Sequence, residues 1–380
     1  RDTAKNPTIL DGKNKRRVIS QNYNFADSMA VVVDGFTIQN GTAVYGGGAY
    51  LMKNVTVNNC VFRNNHASEN GQAVYSLNGK LKNSVVENTR YIDFGREALY
   101  FKNGLVDSCI VRNNHSYYRS ALYGESMTVS NTIFDGNEGR YETVIEVNNS
   151  LMRECKITNN TSNYYALRSY SSSKVDRCII ENNVVNSHVL YQSGSAKISN
   201  SQITKNTSKS SHLIYFYDKP LMYNCTVADN ESRYSTVNSG SNSSVIKNSV
   251  IVGNKRTDNS ASITGNCVVT YSMIEGGANG EGNIDGSRSG AAFKDASKGD
   301  YSLSETSLCI NAGTDVDEEF DLLGNERKQS DAVDMGAIES EFTERAAVGT
   351  VIYVKAGSEG SGLSWDDALG EINQAVTLAS

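Results

Sequence analysis

The chain has 380 residues, and its 36 basic and 42 acidic side chains give a formal net charge of −6. The charges are interspersed without a basic stripe, and no apolar run approaches the ~18 to 20 residues that cross a bilayer. Nucleic acid as a partner and a membrane span within the chain are therefore not expected.

From residue 36 onwards one short pattern recurs every 23 to 25 residues. A small or thiol side chain usually begins it, an apolar residue follows two places later, and asparagine usually stands five places after the first residue. The first positions of ten copies are Phe36, Cys60, Ser84, Cys109, Thr132, Cys155, Cys178, Ser201, Cys225 and Ser249. The asparagines are Asn65, Asn114, Asn137, Asn160, Asn183, Asn206, Asn230 and Asn254, with Gly41 and Thr89 in the first and third copies. A fixed period in this range indicates stacked structural units.

Each repeat has room for three short strands and no helix. The apolar positions alternate as on a strand, and a second and a third apolar run precede the next copy. Strands this short can pair only with their copies in the next repeat, in parallel, as in a solenoid. Leucine-rich repeats have a similar period but need several leucines at fixed offsets, which this chain lacks. The sequence therefore predicts an all-β parallel solenoid of ten coils over residues 1–290.

The recurring asparagine has two physical reasons. The backbone must turn sharply between strands, and asparagine tolerates the left-handed conformation. Stacking also places equivalent amides about 4.8 Å apart, so that each can donate to one neighbour and accept from the other. The sequence thus predicts a buried asparagine ladder. A second, less regular ladder is predicted one residue before each copy, at Asn59, Asn83, Asn131, Asn200, Asn224 and Asn248.

Five of the seven cysteines occupy the first position of the repeat, where they alternate with serine and threonine. This pattern favours a small inward side chain over disulfide pairing. Only Cys155 and Cys178 lie in adjacent coils, whereas the others are separated by roughly 10 Å, which is too far for a bond. We expect buried free thiols. The chain has no C-x-x-C motif and no Cys/His cluster, so neither a metal site nor a cofactor is predicted.

Five tyrosines share one position on the second strand of the repeat. They are Tyr75, Tyr100, Tyr123, Tyr191 and Tyr215, and Glu146 and Arg168 interrupt them. Alternation places them opposite the inward aliphatic residues, hence on the outside. Stacked aromatic rings stabilise a parallel sheet. The same tyrosines are the candidate ligand or partner face, because a flat aromatic surface could stack on sugar rings or pack on another protein.

Histidines and carboxylates offer little evidence for catalysis. His66 and His115 follow the turn asparagines, while His188 and His212 precede the second strand in adjacent coils and could lie close together. No nucleophile with an orienting acid shares their face, so exposed turn histidines are the favoured interpretation. Paired carboxylates facing each other across a sugar are not visible, and no catalytic residue is predicted.

Two acidic clusters are interpreted without invoking a site. The adjacent pair Asp366 and Asp367 stands at the predicted start of a helix, where acidic side chains favour the helix dipole. The cluster from Asp315 to Asp321 could bind a cation but lacks the glycine and spacing of an EF-hand. A solvated loop is therefore the favoured interpretation.

The repeat fades after Ile274, and a glycine-rich stretch from Gly276 to Gly290 follows. Residues 291–347 are the predicted C-terminal cap, because an open strand edge must be covered. Residues 348–380 are predicted as a strand at Val351 to Val354 and an amphipathic helix. That helix would carry Trp365, Leu369, Ile372, Val376 and Ala379 behind a capping box at Ser364.

The chain resembles bacterial right-handed parallel β-helix proteins, particularly surface proteins of Bacteroidota-like organisms that carry a terminal anchor or sorting region. The resemblance rests on Arg1-Asp2, Asn6 to Gly12, Val33 to Gly41, Gly46 to Gly48, Gly299 to Leu303, Ser307 to Gly313, Asp321 to Arg327 and Val333 to Glu339. Asn311 departs from the aspartate that the family usually has there. These motifs are specific for the fold and not for a reaction, and they imply a right-handed β-helix in an extracellular or cell-surface protein.

The resemblance also implies an unusual order of parts. The family's strand-and-helix cap precedes its coils, whereas the similar residues Ile352 to Leu369 come last here. A tandem array, in which residues 348–380 begin the next module, explains this order. The alternative is docking of that segment on the first coil of another copy, which would give filaments.

Taken together, the sequence favours a non-enzymatic β-helix module of a large surface protein, serving as a stalk, an adhesin or a filament subunit. Its expected partners are glycans, other surface proteins and neighbouring modules. The alternative is a carbohydrate-binding or polysaccharide-degrading protein that uses the tyrosine face. A depolymerase of the phage or capsule type is less favoured, because it would need converging carboxylates.

Overall fold

The computed structural model describes residues 7–21, 30–89, 95–287, 292–329, 332–342, 352–362 and 365–379. The opening residues Arg1, Asp2 and Asn6 of the family resemblance lie outside these ranges. The described part is a parallel β-solenoid of about ten turns, so the predicted all-β fold class is confirmed. In the described part of the chain, no helix is both long and apolar enough to span a membrane.

The strand that begins each repeat builds a sheet of thirteen parallel strands, here named sheet A. Its strands are Thr8–Asp11, Phe36–Gln39, Val61–Arg63, Val85–Glu87, Ile110–Arg112, Ile133–Asp135, Lys156–Thr158, Ile179–Glu181, Gln202–Thr204, Thr226–Ala228, Val250–Val252, Met273–Ile274 and Ile284–Asp285. The strands of the repeats pair in register with their copies in the next coil, and Ile284–Asp285 pairs with Met273–Ile274, only 11 residues earlier in the chain.

The other two apolar runs build sheet B, which has twenty strands in two parallel columns. The first column contains Ile19–Ser20, Ala49–Leu51, Val74–Ser76, Leu99–Lys102, Leu122–Glu125, Ile145–Asn148, Leu167–Tyr170, Leu190–Gly194 and Ile214–Asp218. The second contains Val31–Asp34, Val55–Asn58, Lys80–Lys82, Leu105–Asp107, Thr128–Ser130, Leu151–Arg153, Lys174–Asp176, Lys197–Ser199 and Leu221–Tyr223. The longer strands Val237–Lys247 and Ile263–Thr270 continue both columns.

A third, narrow sheet of two-residue strands follows the asparagine corner, here named sheet C. Its strands are His115–Ser116, Glu138–Gly139, Thr161–Ser162, Val184–Val185, Thr207–Ser208, Glu231–Ser232 and Lys255–Arg256, with Thr42–Ala43 and His66–Ala67 as a separate pair. The core lies between the sheets. Each inward position of the repeat contributes a column of aliphatic and aromatic side chains to it, and Phe62, Val86, Val111 and Phe134 form one fully buried column.

The predicted asparagine ladder is present at the corner between sheets A and C. Asn137 Nδ2 donates to Asn160 Oδ1 at 3.0 Å, and Asn160 Nδ2 donates to Asn183 Oδ1 at 2.9 Å. The same oxygen atoms accept the backbone N–H of the preceding rung, and each Nδ2 also donates to a backbone carbonyl. The buried amides are therefore fully used, which removes the cost of burying them.

The ladder asparagines do not make the sharp turn, so that half of the prediction is wrong. The left-handed residue is the one immediately before them, such as Asn113, Gly136, Asn159 or Lys205, with φ between 52° and 63°. Two adjacent residues thus have separate roles at each corner. One adopts the left-handed backbone, and the next turns its amide into the core.

The second predicted ladder is mostly a column of left-handed corners. Asn59, Asn83 and Asn131 all have positive φ. Amides bond to one another in this column only from Asn200 onwards: Asn224 Nδ2 donates to Asn200 Oδ1 at 3.0 Å, and Asn248 donates to Asn224 at 3.1 Å.

The cysteines are free thiols, as predicted. Those at the first repeat position are buried, and burial raises the pKa of the Cys109 and Cys225 thiols to about 12. Thiolate is the reactive form, so these groups are chemically quiet and serve as small inward side chains.

Residues 292–329 and 332–342, here named the lateral segment, begin with an antiparallel pair, Phe293–Asp295 and Asp300–Leu303, around the short 3₁₀ helix Ala296–Lys298. That residues 291–347 cover the last coil remains a prediction. The described contacts of the lateral segment run along the outer face of sheet A over four coils, and its apolar side chains form a second core with Ala228, Val250 and Met273.

Arg327 ties the lateral segment to the solenoid. Its guanidinium is buried, pairs with Glu339 and donates to Asn200 Oδ1 at 3.0 Å and to the Gly336 carbonyl at 2.6 Å. Burial raises the pKa of Glu339 to about 7, although Arg327 opposes that shift. A buried charge of this kind is stable only while its partners remain.

The acidic stretch from Asp315 to Asp321 is only partly a solvated loop. Asp321 is fully buried and accepts the backbone N–H groups of Leu323, Asn325 and Glu339. Glu318 forms an ion pair with Lys197 of sheet B. These acids therefore fold the segment and fasten it, which the sequence pattern did not reveal.

In residues 348–380 the helix begins later in the chain than predicted. The helix is Ile372–Ala379, and Val354 makes a single parallel bridge with Leu369. The residues before the helix are held by the bridge, since Leu369 N donates to the Tyr353 carbonyl at 2.9 Å. Asp367 consequently bonds Ser361 and does not start a helix. Val351 and Ser364 lie outside the described residues.

We predict that Asn160→Ala lowers the free energy of unfolding by about 3 kcal/mol, because it leaves buried groups of Asn137, Asn183 and Phe134 without partners. Denaturant unfolding measures the effect. The matched control is Asn159→Gly, which suits the left-handed φ of 56° and should cost less than about 1 kcal/mol. Equal losses in the two variants would contradict the division of work between these neighbours.

We also predict that Arg327→Ala loosens the lateral segment, because it strands the Glu339 carboxylate and the Asn200 amide. Limited proteolysis should cut within residues 292–342 many times faster than in the parent chain. The adjacent Lys328, which is exposed and pairs only at the surface with Asp315, provides the control Lys328→Ala. Similar cleavage rates in both variants would argue against a central role for Arg327.

Candidate functional site

The outer face of the first column of sheet B carries a row of stacked tyrosines. Tyr50, Tyr75, Tyr100 and Tyr123 stand in register, with ring centroids 5.0, 4.7 and 5.1 Å apart and interplanar angles of 6°, 2° and 14°. Burial raises the pKa of Tyr100 to about 12, and the neighbouring tyrosines add to the shift. Because the rings lie face to face along the solenoid axis, they present their edges outwards.

Cations lie over the rings at both ends of this row. The Arg17 guanidinium lies 4.8 Å from the centroid of Tyr50, and that of Arg119 lies 4.7 Å from the centroid of Tyr123. Such contacts are favourable because the ring face is electron-rich. The row is therefore a closed unit of four rings and two cations. Tyr50 stands at the same strand position as Tyr75 but is not among the tyrosines predicted from the sequence.

A charged cluster with a buried centre begins where the tyrosine row ends. Arg119 Nε lies 3.1 Å from Glu97 Oε2, and its Nη1 lies 3.5 Å from carboxylate oxygens of both Glu142 and Glu146. Glu146 also lies 3.8 Å from Arg168 and accepts a hydrogen bond from Tyr170 at 3.1 Å. Glu146 and Arg168 are the two residues that interrupt the tyrosine column.

Burial sets the electrostatics of this cluster. It raises the pKa of the fully buried Glu97, which Arg119 opposes, and it raises the pKa of Tyr170, to which Glu146 adds. Burial would lower the pKa of Arg119, but Glu97, Glu146 and Glu142 together raise it above its usual value. One guanidinium thus pairs with carboxylates from the two coils on either side of its own.

A second aromatic row follows on the far side of the cluster. Tyr165, His188 and His212 stack with centroid separations of 5.8 and 6.2 Å, and beside them Tyr191 stacks on Tyr215 at 5.8 Å. The predicted tyrosine column is thus one position on the sheet, which the Glu146–Arg168 pair divides into two rows.

The histidines do not all fit the expected exposed turns. His115 is exposed and lies 3.1 Å from Glu138, but His66 and His188 are buried. His188 Nδ1 lies 3.0 Å from the His212 carbonyl oxygen, and burial lowers the pKa of His188 to about 4. Burial also lowers the pKa of His212. The expectation failed for His188 because the position three residues before the tyrosines is part of the aromatic packing.

The described residues contain no group of three or more histidine, cysteine, aspartate or glutamate side chains arranged to hold a metal ion. A cleft of about 290 Å³ lies between the lateral segment and sheet B, and Lys174, Arg177, Lys197 and Glu318 are among the residues that line it. Its charges are of both signs and largely paired within the chain.

Comparison with known proteins supports the fold. A family model described as "Right handed beta helix region" matches residues 95–215. A solved structure titled "Crystal structure of pectate lyase Pel9A" is similar at a TM-score of 0.50 and 14% sequence identity, over 85% of this chain and 86% of that chain. None of the curated proteins matches this sequence. The fold is thus that of a right-handed parallel β-helix, and at this identity the likeness concerns the fold alone.

We predict that His188 makes stability depend on pH. The unfolded imidazole titrates near 6.5 and the folded one near 4, so the unfolded state binds more protons between these values. Stability should therefore fall as the pH is lowered from about 6.5 to 4, by about 3 kcal/mol in total. His188→Phe keeps a stacked ring without the titrating group. Its unfolding free energy should lose this part of the pH dependence, and an unchanged profile would refute the assignment.

Proposed function

We propose that this chain is a non-catalytic β-helix module of an extracellular surface protein, and that it acts as a rigid stalk. The proposal depends on one observation. Aromatic side chains on the outer face of sheet B stack on one another along the solenoid axis, and charged side chains beside them form ion pairs in the same direction. Each ring of the first tyrosine row stacks on its neighbour, and each acid of the charged cluster shares Arg119. Contacts of this direction stiffen a stack of coils.

The acids of the cluster are poorly placed for glycoside hydrolysis. That reaction needs two carboxylates that flank a sugar, one as acid and one as base or nucleophile. Glu97 is fully buried and Glu146 nearly so, and both are paired with the same guanidinium. Freeing either one would leave a buried charge without its partner, which is costly.

The tyrosine rows are also poorly placed to bind sugars by stacking. A sugar packs on the face of an aromatic ring, but both faces of Tyr75 are covered, by Tyr50 and by Tyr100. The most exposed tyrosine on this surface is Tyr217, which is 57% exposed. The favoured role of the five sequence-predicted tyrosines is therefore structural.

One observation favours a second candidate function, the binding or cleavage of an anionic polysaccharide. The side chain of Arg168 is 40% exposed, and its Nε has no hydrogen-bond partner among the described residues. It stands beside Glu146 and Tyr170 in the middle of the outer face. A pectate lyase has a similar fold, so an activity on uronate polymers is the natural alternative to test.

We predict that the chain releases no product from uronate or neutral polysaccharides, with or without added Ca²⁺. Assays for new reducing ends and for unsaturated sugars measure this. Unsaturated product that disappears in Arg168→Ala, with the fold intact by circular dichroism, would establish the second candidate and contradict the first.

The structural role of the tyrosines is tested by measuring stability. Tyr100→Ala should lower the free energy of unfolding by about 2 kcal/mol, since it removes a half-buried ring and two stacking contacts. The control Tyr217→Ala lies on the same face and should cost less than about 0.5 kcal/mol.

A glycan array tests the binding role of the same rings. Binding by the parent chain that is lost in Tyr100→Ala and Tyr123→Ala would make these rings a binding surface.

A further inference from the structure

The outer face of sheet A carries an uncovered apolar strip in the first half of the solenoid. Val61, Val85, Ile110 and Ile133 follow one another in register on neighbouring strands, each pointing away from the core. The first three are half-buried by their neighbours, and Ile133 is 37% exposed. Thr37 precedes the strip and Lys156 follows it in the same register, so it is four coils long.

The same strand position is covered by protein further along the solenoid. Thr226, Val250 and Met273 continue the column, and the lateral segment buries all three. In the last coils, the lateral segment thus covers the apolar column on this face. The strip of Val61 to Ile133 is the continuation of that interface without its cover.

Charges beside the strip alternate in sign. Two positions after each apolar residue stand Arg63, Glu87, Arg112 and Asp135. When the order of the coils is reversed, each charge of this column falls opposite a charge of the other sign. On the other side of the strip Lys82 and Asp107 occupy the two central coils, and they too exchange sign when the order is reversed.

We propose that two copies of this chain associate through the strip as an antiparallel, two-fold symmetric dimer. The two-fold axis runs along the strands, midway between the coils of Val85 and Ile110. Val61 then faces Ile133, and Val85 faces Ile110 of the partner. Arg63 faces Asp135, Glu87 faces Arg112, and Lys82 faces Asp107. An interface of this kind must be self-complementary, and this pattern is.

The antiparallel orientation fits the charges better than a parallel one. One coil further out, Asp34 meets Arg153, which adds a fourth kind of opposite-charge pair. With parallel solenoid axes only two kinds arise, Glu87 with Lys82 and Arg112 with Asp107. The antiparallel contact ends at the next coil, where the carboxylates of Asp11 and Glu181 would face each other.

These charges already have partners within the chain, beside which they keep part of their surface exposed. Arg112 pairs with Glu87 at 2.8 Å, and 46% of the Arg112 side chain and 16% of the Glu87 side chain are exposed. Arg63 donates to Gln39 at 2.9 Å, and Asp135 accepts from Thr158 at 2.9 Å. The dimer would give each charge a second partner across the interface, and networks of this kind are worth more than isolated surface pairs.

The lateral segment does not stand in the way. With Val85 opposite Ile110, the strand of Ile9 faces that of Ile179. On sheet A the positions that the lateral segment buries begin at Gln202 and lie past the partner's first described strand, and its Phe320 reaches Arg177 in the coil of Ile179, at the edge of the contact. The contact spans six coils, roughly 29 Å. An interface this small gives a weak, reversible dimer, with a Kd on the order of micromolar to tens of micromolar.

Sedimentation equilibrium of the full chain tests the proposal with a pair of charge variants. Glu87→Arg and Arg112→Glu each place like charges opposite one another in the antiparallel dimer, so each alone should bind itself at least tenfold more weakly than the parent chain. An equimolar mixture restores opposite charges at both places and should associate about as tightly as the parent. Loss of the intrachain pair cannot produce this recovery, because both variants lack it.

A parent chain that remains monomeric at about 100 µM would overturn the proposal. A mixture no tighter than the separate variants would overturn the antiparallel orientation, since in a parallel dimer the carboxylate introduced by Arg112→Glu stands opposite Asp107 of the other copy. The apolar contact is tested by Ile110→Lys, which should abolish association. The control Val268→Lys replaces an exposed apolar side chain on sheet B, away from the strip, and should leave association unchanged. Equal effects in these two variants would also overturn the proposal.

Discussion

The buried asparagine amides impose the constraint on which the solenoid depends. Each amide in the core corner must find its hydrogen-bond partners on the coils above and below, because no water reaches it. This requirement fixes the register between coils to the residue. Once the register is fixed, every other position forms a column of like or compatible side chains, including the thiols, the aliphatic core and the outward tyrosines.

Columns of this kind explain both what the sequence could predict and what it could not. The ladder was predictable because Asn137, Asn160 and Asn183 repeat at a fixed spacing and a lone buried amide would be costly. The left-handed corner was assigned to the wrong residue because pairs such as Asn159 and Asn160 are alike. Gly136 and Gly253 carried the missing signal, since glycine in place of the first asparagine marks the left-handed position.

Contacts between different columns were harder to foresee. Arg119 lies four residues before Tyr123, outside the strands, and nothing in the spacing indicates that its side chain reaches Glu97 and Glu146 on the neighbouring coils. The lateral segment posed the same difficulty, because Arg327 and Asp321 bind groups that no repeat pattern connects to them. Many charged and aromatic side chains on the outer surface of sheet B consequently have partners within the chain, which the composition alone does not indicate.

Thr89 occupies the place of an amide between Asn65 and Asn114, and its rung has fewer hydrogen bonds than one built from asparagine. Its backbone N–H still donates to Asn114 Oδ1 at 3.2 Å, but its buried hydroxyl has no partner among the described residues. In a one-dimensional stack, stability is a sum of links between neighbours, so a single weak link is where cooperativity breaks. We therefore expect thermal unfolding to divide at this coil, with the coils before it melting at a lower temperature than those after it.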